Sequence, residues 1–212
     1  GLYVSPGFID VNNHSDTYWE MFRNPGLHGM LLQGVTTIIV GNSGASLAPL
    51  TEPEIIRAIQ KWTNVEKINF NWLSMEEFLR EVEGRRLSVN FATLAGHGTI
   101  RRGVLKNPTR KTEPDDLGAM RKLLKTALKE GAIGFSTGLK YTHARLAEKA
   151  EIVDLLSLVS DESGVYATYV RDEGEHLLRS VEEAIMTAQE AGSPLHISHL
   201  KAVGEKHWPL MD

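Results

Sequence analysis

Eight histidines and no cysteine define the chemistry open to this chain of 212 residues. Without a thiol there is no disulfide, no cysteine nucleophile and no thiolate metal ligand. His14 stands in the run Pro6-Gly7-Phe8-Ile9-Asp10-Val11-Asn12-Asn13-His14-Ser15-Asp16, and His199 in Ser198-His199-Leu200-Lys201. Each follows a short apolar stretch. Neutral imidazole suits zinc, and a catalytic zinc commonly takes three protein ligands and a water. His14 and His199 are therefore the candidate metal ligands. His97 lies between Gly96 and Gly98. Flanking glycines let a backbone approach a ligand closely, although a tight strand-to-helix turn needs them equally. Lys201 and Tyr141 are candidates to orient a carboxylate or carbonyl. Arg171-Asp172-Glu173-Gly174 reads as a salt-bridged turn whose acids favour the helix start after it. His196 is expected to be structural. His28, His143, His176 and His207 are expected to face solvent.

These residues need elements to position them. After the first apolar run, further strand candidates cover residues 35–40, 89–94, 132–135, 165–170 and 195–197. Each ends in polar or ionisable residues, the pattern of parallel α/β proteins, whose chemistry sits at the C-terminal ends of strands. Helix signals alternate with them. Thr51-Glu52-Pro53-Glu54 opens one through about Trp62, and Ser74-Met75-Glu76-Glu77 is a capping-box pattern. Longer helices are expected after Thr112, over residues 149–163, and over residues 175–191, the last stopped by Gly192. The expected class is α/β, of the TIM-type (β/α)8 barrel kind. About six βα units are visible where a closed barrel takes about eight.

The remaining signals are exclusions. The net charge of −4 and pI near 6.1 make no basic field for nucleic acid or an anionic membrane. No apolar run reaches the roughly 18 residues of a membrane span. The absence of cysteine fits a cytoplasmic location. There is no phosphate-binding loop, no dinucleotide fingerprint after a strand, and no Gly-x-Ser-x-Gly elbow.

The segments PGFIDVNNHSD, QGVTTIIVGNSGASLAPL, LAGHGTIR, GAIGFSTGLKY, GVYATYVRDEG and HISHLKAVG resemble, in order, those of the amidohydrolase superfamily. Within it, the resemblance is to the N-acyl-D-amino-acid deacylases. It implies that residues 1–212 form a partial catalytic barrel, with its start and closing strands missing. It implies a zinc-dependent hydrolase of a non-peptide C–N bond, acting on a small N-acyl-D-amino acid through zinc-bound hydroxide. The general-base aspartate would lie beyond Asp212. Tyr141 and Lys201 match positions at the substrate's carboxylate end, and His97 is a further candidate for substrate contact.

The chain departs from the family pattern at three ligand positions. Asn12 stands in place of the first histidine of a His-x-His pair, Ser43 in place of a cysteine, and Tyr169 in place of a histidine. Amide, hydroxyl and protonated phenol are poor zinc ligands. Asp16, Asp172 or His97 could supply a different ligand set. Two alternatives follow: a barrel that has lost catalysis and serves as a binding or structural protein, or a cyclic-amide hydrolase of the dihydroorotase or hydantoinase kind.

Overall fold

The computed structural model describes residues 3–59, 70–107 and 109–212. Along it run β1 (Phe8–Asp10), α1 (Glu20–Arg23), α2 (His28–Leu31), β2 (Val35–Val40), α3 (Ile55–Ile59), α4 (Met75–Arg85), β3 (Asn90–Thr93) and β4 (Ala95–Gly96). There follow α5 (His97–Leu105), α6 (Pro114–Lys129), β5 (Gly134–Gly138), α7 (Lys149–Asp161), β6 (Val165–Tyr169), α8 (Leu177–Ala191) and β7 (Leu195–Ser198). A 3-10 helix over Glu205–Met211 ends the described chain. Among the described residues no helix is long and apolar enough to cross a membrane.

Every strand pair is parallel and neighbours follow chain order, β1-β2-β3 in one sheet and β4-β5-β6-β7 in the other. The strand expected over residues 89–94 is β3, and after a break at Leu94 a second short strand, β4, follows beyond the expected range. Backbone bonds bridge the break: Leu94 N donates to Val40 O at 2.9 Å, and Ile133 N donates to Thr93 O at 3.0 Å. Parallel pairing requires a crossover between neighbours, and helices supply it. The outer wall builds up in the same order, with α5 on α6, α6 on α7 and α7 on α8.

Local sequence explains the helix ends. Ser74 Oγ accepts from Glu77 N at 3.1 Å, and the Glu77 carboxylate accepts from Ser74 N, a reciprocal cap at the start of α4. Pro114 opens α6 behind a similar Glu113–Asp116 pair. Gly192 closes α8 at φ 67°. For the helix expected from Thr51 to about Trp62, α3 covers Ile55–Ile59, and the rest lies outside the described residues.

The principal core joins these helices to the sheet through Trp19, Phe22, Trp72, Phe78, Met120, Leu124, Phe135 and Leu155, all buried. Each such side chain contributes roughly 1.5–3 kcal/mol by leaving water. β5 begins and ends later than its apolar residues suggest, because Ser136, Thr137 and Gly138 pair with β6 and are buried. Their hydroxyls are satisfied inside. Thr137 Oγ1 meets Tyr166 OH at 2.9 Å and Thr168 Oγ1 at 2.7 Å. Ser136 Oγ donates to Gly41 O and accepts from Gly44 N. At the other extreme, Phe8 and Ile9 of the edge strand β1 are exposed.

Candidate functional site

The strand ends form a mouth. His14 follows β1 and His199 follows β7, yet their rings lie nearly parallel with centroids 6.3 Å apart. The strand array therefore curves far enough to bring its first and last members' C-terminal ends together. Asp10 organises the first loop by accepting from Asn12 N at 3.1 Å and Asn13 Nδ2 at 2.7 Å. This places the Asn12 amide 3.4 and 3.3 Å from the two ring nitrogens of His199. Tyr169 stands edge-on to His199, centroids 5.1 Å apart, and Tyr141 edge-on to Tyr169 at 5.6 Å. Tyr141 in turn stacks on His143 at 5.8 Å.

Glu173 is the polar centre of this mouth. Its carboxylate is 1% exposed and accepts from Lys140 Nζ at 2.7 Å, from Tyr169 OH at 2.6 Å and from Lys201 Nζ. Burial by itself would raise its pKa, but hydrogen bonds from the two lysines and the tyrosine hold it below the ordinary carboxylate value. Burial and the neighbouring Glu173 push the Tyr169 phenol upward, so it stays a neutral donor. Burial raises Tyr141 as well, followed by the charge of Glu173. The turn 171–174, expected to use both acids at the helix start, divides the work. Asp172 Oδ1 accepts from Gly174 N at 2.7 Å and His176 N at 3.2 Å, while Glu173 turns into the mouth.

The turn after β2 runs beneath. Gly41 and Gly44 both have φ 75°, and a Cβ on Gly41 would lie 2.2 Å from Leu94 O. Only glycine permits that combination of handedness and close approach. Between them Ser43 has φ 56°, as does His199 after β7. Non-glycine residues in this region carry strain and concentrate at functional sites. Ser43 is buried, and among the described residues its Oγ has no hydrogen-bond partner.

The structure brings Asn12, His14, Tyr141, Tyr169, His199 and Lys201 to one mouth. It corrects the expectation for His97. That ring is fully buried at the start of α5, against Phe135, and its Nε2 meets Glu151 Oε1 at 2.7 Å. Glu151 also accepts from Arg101 Nε at 3.2 Å and Thr112 Oγ1 at 2.6 Å. His97 therefore packs in the wall and not against a substrate. His143, expected in solvent, is half-buried against Tyr141 and Gly98, where a glycine Cβ would fall 2.2 Å from its ring. Glu173 is the site residue that sequence reasoning placed elsewhere. The only signal for it was an acid just past a strand.

The donor set does not fit a zinc centre. His14 and His199 are two imidazoles accompanied by an amide, a phenol and a hydroxyl. Of the alternative ligands, Asp172 caps its own turn and His97 is bound to Glu151, while Asp16 accepts from Gly41 N at 3.0 Å through Oδ2 alone. Among the described residues no group of three or more histidine, cysteine or acidic side chains could hold a metal ion.

Comparison with known proteins agrees with the fold. The amidohydrolase family profile matches residues 1–209. D-aminoacylase of Alcaligenes xylosoxydans xylosoxydans is 35% identical over 208 residues, 98% of this chain and 42% of that protein. N-acyl-D-aspartate deacylase of the same organism is also 35% identical, over 98% of this chain and 41% of its own length. The structure of N-acyl-D-glutamate deacylase from Bordetella bronchiseptica, complexed with zinc and a phosphonate inhibitor, superposes with a TM-score of 0.84 at 27% identity. That match covers 96% of this chain and 42% of the other. The chain thus spans about two fifths of the length of the relatives it matches. It belongs to the amidohydrolase family, in the branch that holds the D-aminoacylases.

Proposed function

We propose that this chain is the substrate-holding wall of a (β/α)8-type barrel that deacylates N-acyl-D-amino acids, with Tyr141 and Lys201 at the substrate's carboxylate end. The observation that carries this reading is the charge balance around Glu173. Two lysines meet one buried carboxylate, so this three-residue cluster carries a net single positive charge. The lysine side chains are 42% and 51% exposed, and each ammonium has three donors, so donors remain for a ligand. One substrate carboxylate would complete the balance, and Tyr141 offers a further hydroxyl beside it. These residues bind and orient; no bond-breaking step is assigned to them.

The poor fit to zinc favours a second reading, in which the barrel binds such ligands without turnover. One set of measurements on the intact protein separates the two. Acetate release from N-acetyl-D-amino acids, absent with the L-enantiomers and with cyclic amides, is the expected result. Metal analysis after dialysis accompanies it. Binding without acetate release, with turnover appearing only in the Ser43→Cys/Tyr169→His double variant, would establish the second reading. Neither binding nor turnover of any N-acyl amino acid would overturn both.

A further inference from the structure

Two neighbouring arginines on α5 have opposite surroundings. Arg101 is fully buried and satisfied by Glu151, the carbonyls of His143 and Arg110, and Thr112. Arg102 is half-buried, and among the described residues its side chain has no carboxylate or hydrogen-bond acceptor. Burial depresses its pKa, and among the described residues no opposing charge raises it. A guanidinium does not shed its proton in a protein, so an anion is what would relieve it.

Arg102 lines a cavity of about 120 Å³ with Ser43, Ala45, Ile59, Tyr141 and His143. Whole-ligand pockets run from roughly 300 Å³ upward, so this one has room for a group and not for an entire N-acyl amino acid. Its polar side holds the guanidinium, the Tyr141 phenol, the His143 ring and the buried Ser43 hydroxyl, which has no hydrogen-bond partner among the described residues. Its apolar side is Ala45 and Ile59, which thin the water and strengthen a charge-assisted pair.

We propose that this cavity is an anion subsite in which Arg102, with Ser43 and Tyr141 as hydroxyl donors, binds a carboxylate. The inference rests on the proposed function only for the source of that carboxylate. It is either the α-carboxylate or the side-chain carboxylate of an acidic N-acyl amino acid.

The test is calorimetric binding to the intact protein and to its Arg102→Gln and Arg102→Lys variants. The ligands are N-acetyl-D-leucine, N-acetyl-D-glutamate, the uncharged N-acetyl-D-leucinamide, and succinate. Arg102→Gln is expected to weaken carboxylate ligands by at least about tenfold, the worth of a charge-assisted hydrogen bond. Arg102→Lys should recover part of the loss, and leucinamide should bind all three proteins alike. A loss shared by leucine and glutamate ligands assigns the α-carboxylate, and a loss confined to glutamate assigns the side chain. If the N-acyl amino acids fail to bind while succinate binds through Arg102, the functional reading falls and the subsite stands. Unchanged carboxylate affinity in Arg102→Gln, an equal loss for leucinamide, or no carboxylate binding to the parent protein would overturn the subsite.

Discussion

Two buried glutamates, Glu151 and Glu173, each gather basic neighbours, yet those neighbours differ in their access to water. Around Glu151 the partners are themselves inside, with His97 and Arg101 both 0% exposed. Around Glu173 the carboxylate is buried too, but Lys140 and Lys201 reach it from water. A sealed pair has no alternative partner and can only hold the wall together. A pair with wet cations can exchange a contact for one with a ligand at little cost. Exposure of the partner, rather than of the carboxylate, thus separates a structural network from a site.

The sharpest break of this comparison is Glu151→Gln. It leaves Arg101 buried without its counter-charge, and removing one member of a buried pair costs about 3–5 kcal/mol. Urea denaturation of the intact protein should show that loss, and a change below about 1 kcal/mol would mean that Glu151 is not the keystone of the wall.

Glu173→Gln is expected to cost less stability, about 1 kcal/mol, because the lysines regain water. Its larger effect should be on ligand affinity. A stability loss as great as that of Glu151→Gln would erase the distinction between the two clusters.

Mild acid is the gentlest perturbation. Burial works to raise both carboxyls, but it is outweighed, at Glu151 by His97, Thr112 and Arg101 and at Glu173 by Lys140, Lys201 and Tyr169. Both folded pKa values therefore lie below the ordinary 4.5. Their contribution is complete above that value and is lost as pH falls through the lower folded values. Urea midpoints taken from about pH 6 to pH 3 should fall, with a shallower slope in Glu151→Gln. Identical slopes in the parent and the variant would show that Glu151 is not linked to folding.

The sequence by itself determined the α/β class, the chain-order alternation, and which residues stand at strand ends. Those properties are local: an apolar run, a reciprocal cap at Ser74, a glycine at 192. It also placed His14, Tyr141, Lys201 and His199 just past strands, since strand direction alone sends those positions to one end. Only the tertiary structure decided which polar groups meet there. Glu173 reaches Lys140 and Lys201 across 33 and 28 residues of chain, and His97 reaches Glu151 across 54. Nothing in a hydrophobic period distinguishes an acid that caps its own turn, like Asp172, from one that swings into the mouth, like Glu173. Nor does it distinguish Arg101, satisfied in the wall, from Arg102, left to face a cavity. The choice depends on which loops the curved sheet brings together, and that curvature is a property of the whole array of strands.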